Sequence, residues 1–133
     1  MERQEEGKVT TKSGTALSMA ESLKKAVSEM LVLCLLDERE MYVNELIEQM
    51  EARSTGAFVI SYPYALLLRL EKFGYALETG KRIAPDGRRR QYFGITEDGR
   101  EYLQELVKTY VELDDGVRTI LRISPKNGEQ FQI

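Results

Sequence analysis

Apolar residues recur along this chain at two periods, and the changes between them mark out its elements. Ala20, Leu23, Val27, Met30 and Cys34 step by three and four, with Leu31 and Leu35 widening the stripe. This spacing predicts a helix of roughly five turns whose apolar face is wide enough to be largely buried. Ser18 followed by Glu21 has the spacing of a capping box at its start. Cys34 lies on that face and reads as a small core residue rather than a redox group. Asp37 to Glu40 form a charged break. Val43, Leu46, Ile47 and Met50 then repeat at helical spacing with Glu45, Glu48 and Glu51 opposite, which predicts a shorter second helix ending near Ser54–Thr55–Gly56.

Phe58, Val59 and Ile60 read as a brief extended link. Pro63 fits the first turn of a third helix, with Ser61 or Tyr62 as its cap. Leu66, Leu67, Leu70 and Phe73 make its inward face, and Gly74 stops it. Tyr75 to Arg82 and Arg90 to Ile95 have the β-branched and aromatic content of two strands. Pro85–Asp86–Gly87 between them is a turn sequence: proline presets φ, aspartate bonds its own backbone, and glycine takes positive φ. The pair is a hairpin with a loop of several residues. Tyr92 and Phe93 alternate in a strand, so one of them is expected to pack inward.

Thr96 caps a last helix, with Glu97 and Asp98 in the first turn where the helix dipole favours acids. Leu103, Leu106, Tyr110, Leu113, Val117 and Ile120 form a regular seam along it, flanked by Val107, Val111 and Leu121. Such a seam packs on another long helix, either a partner's or the first helix of the same subunit. Gly116 within it costs about 1 kcal/mol relative to alanine, which predicts a kink or fraying there. The expected organisation is a flexible arm (1–16), a helix-helix-helix-hairpin domain (17–96), a C-terminal dimerisation helix (97–122) and a flexible tail (123–133). The fold class is mainly α with a β-hairpin, α+β.

Composition narrows the chemistry. The 133 residues suit one domain. With no histidine, no tryptophan and Cys34 as the sole cysteine, imidazole acid–base work, His/Cys zinc sites and a Cys–His nucleophile pair are excluded. No cofactor or metal is expected. The apolar run from Met30 to Leu36 is too short to span a bilayer, and Met1 to Ser13 lack the apolar stretch of a secretory signal. No membrane partner is therefore expected, and the chain reads as cytoplasmic. The net charge of −3 argues against a nucleic-acid partner, but the distribution reverses that reading. Lys81 to Arg90 carries a net +4, whereas Asp37 to Arg53 carries −4 and Glu97 to Gly116 carries −5. A polyanion is drawn to one segment and repelled by its neighbours.

Three helices followed by a hairpin is the order of a winged helix-turn-helix, whose third helix enters the DNA major groove while the wing touches flanking backbone. Basic residues fall where that geometry needs them. Arg69 and Lys72 lie on the outward side of the third helix, and Lys81, Arg82, Arg88, Arg89 and Arg90 bracket the hairpin tip. Ser61, Tyr62 and Tyr64, at the helix start, are the candidate base-reading residues. Two readings of the tyrosines fit equally: groove contacts, or wedges that hold the helix start against the core. The arginine run, taken alone, is also what a solvated loop tip looks like.

The stretch from Leu31 to Arg100 resembles the PadR family of bacterial transcriptional regulators. Tyr42-Val43-Asn44-Glu45-Leu46-Ile47 stands in place of the family's second-helix motif, and Arg69-Leu70-Glu71 with Gly74 matches the end of its recognition helix. Gly87-Arg88-Arg89-Arg90-Gln91-Tyr92-Phe93 matches its wing, and Ile95-Thr96-Glu97-Asp98-Gly99-Arg100 its wing-to-helix junction. The start of the third helix, Ser61-Tyr62-Pro63-Tyr64-Ala65, shares only Tyr64 in register, so no operator sequence carries over. The resemblance implies a homodimer built from the last helix and the first. Leu23, Val27, Met30, Leu103, Leu106, Tyr110, Leu113, Val117 and Ile120 would form its interface. Half-sites would then lie one helical turn apart, roughly 34 Å. It also implies an unidentified small-molecule effector, for which Leu103, Leu106, Tyr110 and the first helix would line a pocket.

The leading function is thus a repressor that binds double-stranded operator DNA. The alternative is a winged-helix adaptor for protein contact with DNA binding lost. An enzyme ranks third, because the acids recur on outward helix faces without a nucleophile or a glycine-rich phosphate loop.

Overall fold

The computed structural model describes residues 13–124. Along them lie α1 (Ala16–Glu38), β1 (Met41–Tyr42), α2 (Val43–Arg53), α3 (Pro63–Lys72), β2 (Ala76–Ile83), β3 (Arg89–Ile95) and α4 (Glu97–Leu121). The α+β class and the element order match the sequence reading, with one strand added. Most of the expected arm and tail lies outside the described residues.

α1 begins earlier than Ser18. Thr15 is its cap, with Oγ1 accepting from the Ser18 N–H at 3.0 Å, so Ser18 is the capped residue rather than the capping one. The expected burial of its stripe also needs correction. Only the last turns of α1 enter the core, through Val32, Leu33, Leu35 and Leu36, while Leu23 and Met19 stay more than half exposed. At 23 residues α1 is about 35 Å long and overshoots the small core beneath it. The inward rotation of Val32, Leu33 and Leu36 leaves Cys34 exposed, not in the core. Partial desolvation, helped by the Glu38 carboxylate, pushes its thiol up from the ordinary value.

The core joins the end of α1 to Leu46 and Met50 of α2, Leu66, Leu67 and Leu70 of α3, and Met41, Ala76, Phe93 and Leu103. Pro63 opens α3, where its missing N–H costs nothing. Gly74, at φ +82°, closes it: the Tyr75 N–H reaches the Leu70 carbonyl and the Gly74 N–H reaches that of Glu71, both at 2.9 Å. That paired C-terminal cap needs a left-handed residue, hence glycine.

β2 and β3 form the wing, in antiparallel register from Ala76↔Ile95 to Ile83↔Arg89, with a bulge between Glu78 and Gly80. At the tip Gly87 adopts φ +84° and its N–H reaches the Ala84 carbonyl, while Asp86 Oδ1 accepts from the Arg88 N–H. The turn sequence therefore does what its residues dictate. β1 was not legible in the sequence, because two residues show no period. It pairs Met41 with Phe93 and Tyr42 with Tyr92, giving the sheet order β1-β3-β2. This added strand is also why both Tyr92 and Phe93 are buried, where only one was expected inside. Phe93 enters the main core, and Tyr92 packs on the opposite face with Tyr42 and Ala84.

α4 runs unbroken through Gly116 to Leu121, so the helix does not fray there. Its seam divides. Leu103 is buried in the subunit's own core and Leu106 packs half-buried against it, whereas Leu113 is 66% and Ile120 82% exposed. Of the two partners foreseen for the seam, α1 of the same subunit takes the first turns, and the rest of the seam is uncovered in this chain. The residues expected to line an effector pocket separate in the same way, Leu103 inside and Tyr110 outside. Among the described residues, no helix is long and apolar enough to cross a membrane.

Candidate nucleic-acid interface

Three elements converge on one small cleft. Tyr42, Val43 and Asn44 at the start of α2, Tyr64 in the first turn of α3, and Arg89, Arg90 and Gln91 of β3 line a space of about 150 Å³. Tyr42 makes no side-chain cap to α2. The first-turn N–H groups of that helix, with their partial positive charge, therefore have no cap from the Tyr42 side chain. Beside it Tyr62 is 78% and Tyr64 64% exposed, and Ser61 is exposed as well. Neither tyrosine is wedged into the core.

The candidate cations divide by partner. Arg90 donates from Nε and Nη2 to Asp86 Oδ2 at 3.1 and 2.6 Å and lies 5.2 Å from the Tyr42 ring centroid. The hydrogen bond from Arg90, with the Arg88 N–H behind it, holds the Asp86 carboxyl below the usual carboxylate range. Arg82 lies over Tyr92, with Cζ 3.6 Å from the ring centroid, and donates to Glu40 at 2.8 Å. Lys81 stands 3.6 Å from Glu78. Arg69 does not simply face outward, because its Nε donates to Glu29 of α1 at 2.9 Å. Lys72, Arg88 and Arg89 have no ion-pair partner among the described residues. Asp86 and Arg90 thus brace the wing tip while Arg88 and Arg89 are left with uncompensated charge. Pairs of this kind, screened by solvent, are weak enough for phosphate to compete with them.

Asn44, Tyr42 and Gln91 are cleft residues that sequence reasoning did not single out. Nothing in local spacing links the start of α2 to the wing; β1, by pairing with β3, brings them together. The wing-to-helix junction, Ile95 to Arg100, has a structural role instead. Thr96 Oγ1 accepts from the Gly99 N–H at 2.9 Å and donates to the Gly74 carbonyl at 2.6 Å. Arg100 donates to Asp37 of α1 at 2.9 Å and to Glu97. This junction fastens α4 to the ends of α3 and α1. Away from the cleft, a wider groove of about 450 Å³ is lined by Ser22, Lys25, Ala26, Glu29 and Arg69.

A helical core carrying a two-stranded wing, with a short third strand ahead of the second helix, defines a winged helix-turn-helix protein. The Transcriptional regulator PadR-like family model matches residues 32–105. The chain belongs to the PadR-like family and is a transcriptional regulator, not an enzyme. An uncharacterized protein of Lysinibacillus sphaericus is 33% identical over 87 residues, which cover 64% of this chain and 79% of that protein. A PadR family transcriptional regulator from Eggerthella lenta shares 27% identity and a TM-score of 0.66, over 78% of this chain and 89% of the other. A PadR-like regulator from Bacillus cereus shares 26% identity and the same TM-score, over 75% and 96%. The exposed apolar stretches at the start of α1 and the end of α4 lie outside the matched segment.

Proposed function

We propose that the chain is a cytoplasmic, homodimeric repressor that binds double-stranded operator DNA. α3 enters the major groove, Ser61, Tyr62 and Tyr64 meet base edges, and the wing lies on flanking backbone. The observation that carries this reading is the common cleft of Asn44, Tyr64 and Arg89, flanked by the unpaired Arg88. Exposed aromatic and amide groups on a helix start, set beside unneutralised guanidinium groups, suit a duplex better than an acidic or apolar protein face. Lys72 adds charge at the far end of α3. The dimer would form through Leu23, Val27 and Met30 of α1 with Leu106, Tyr110, Leu113, Val117 and Ile120 of α4. Leu103 is withdrawn from that set because it is occupied in its own core. An uncovered stripe of this length on one subunit supports a partner.

The test is gel retardation of DNA from upstream of the chain's own gene, across a salt series. Binding that weakens steeply with salt is expected. No retardation on any fragment at low salt would favour the adaptor reading.

A further inference from the structure

Glu29 stands where three helices meet. Its Oε2 accepts from Arg69 Nε of α3 at 2.9 Å, and its Oε1 accepts from the Tyr102 hydroxyl of α4 at 3.0 Å. The Glu29 side chain is 22% exposed and its bond from Tyr102 is part-buried, while the Arg69 side chain reaches it from the surface, 50% exposed. Tyr102 also stacks on Tyr75, with ring centroids 4.2 Å apart and planes 17° from parallel. Tyr75 is the residue whose N–H closes the cap of α3. The non-reading end of α3 is therefore tied to α1 and α4 together, and these are the helices whose outer halves carry the uncovered apolar stripes.

A carboxylate with its two oxygens committed to different helices has little freedom. Charge-assisted bonds are short and directional, so sliding α1 along α4 stretches one of them or drags Arg69. We infer that Glu29 is a positioning residue, which converts the packing of α1 on α4 into the orientation of α3. This rests on the reading of the chain as a DNA-binding dimer. Arg69 then serves DNA binding through Glu29 rather than as a phosphate contact.

A charge swap in the full-length chain tests the inference, read by DNA retardation across a salt series and by amide hydrogen exchange of α3. R69E sets two carboxylates against each other. It is expected to weaken DNA binding by at least about fivefold and to speed exchange across α3. E29R combined with R69E restores an opposite pair. Both readouts should recover, with the wild-type salt slope. Should R69E fail to fold, E29Q and Y102F replace it, each expected to speed α3 exchange and weaken binding. Exchange in α3 that matches wild type in the single variants overturns the inference, whatever the DNA does. Recovery of exchange in the swap without recovery of binding also overturns it, since Arg69 would then touch the duplex directly. A wild-type chain that retards no DNA defeats the binding reading alone; exchange still decides whether Glu29 governs α3.

Discussion

A Cβ placed on Gly99 would lie 2.1 Å from the carbonyl oxygen of Tyr75. That oxygen accepts the Thr96 N–H at 3.1 Å, so the strand leaving α3 and the first turn of α4 are in direct backbone contact. No side chain rotates away from such a clash, because the Cβ itself is the obstacle. G99A should therefore cost about 3 kcal/mol of stability, read from urea unfolding. A midpoint unchanged from wild type would show that the junction can open without loss.

Arg88 and Arg89 carry the uncompensated charge of the wing. R88Q combined with R89Q should make the plot of log affinity against log salt shallower by about 1.8, from ~0.9 for each phosphate no longer neutralised. The same change at Arg82, which is held over Tyr92 and by Glu40, should alter the slope less. Equal effects at both places would mean that the sorting by ion pair has no bearing on DNA.

Self-association should depend on the far half of α4. L113A with I120A removes two exposed side chains and should weaken the dimer by roughly 3 kcal/mol, above a hundredfold in dissociation constant. Sedimentation at a series of concentrations measures this. L103A should instead cost about 2–5 kcal/mol of unfolding free energy, because that leucine is buried in the subunit's core. A dimer indifferent to Leu113 and Ile120 would place the interface elsewhere.

The Tyr102 hydroxyl is pushed up to about 12 from an ordinary 10, by burial first and then by its bond to Glu29. A group whose folded pKa is raised contributes stability that is fully present below the unfolded value and lost as pH rises through the folded one. Stability should thus fall between pH 10 and about 12. Y102F should be less stable at neutral pH and should lose less across that window. Ultraviolet titration of the phenolates gives the direct check; a Tyr102 that ionises with the exposed tyrosines would remove the link to Glu29.

Local chemistry made much of this molecule legible in its sequence. The helices of Val43–Arg53 and Pro63–Lys72, the Pro85–Asp86–Gly87 tip and the Thr96 cap follow from hydrophobic period, proline and glycine geometry, and side-chain capping. Each of these acts within a few residues. The basic wing was equally visible, because charge is a property of composition. What the sequence did not reveal depends on contacts far apart along the chain. β1 exists only because β3 offers it an edge, and that pairing places Asn44 beside Arg89. The stripe of α1 predicted a buried face, but burial depends on how far the core extends, and the core ends before Leu23. Arg69 looked free on its helix until Glu29, 40 residues away, was placed within hydrogen-bond reach. Periodicity shows which side of an element is apolar; only the packed structure decides what that side meets.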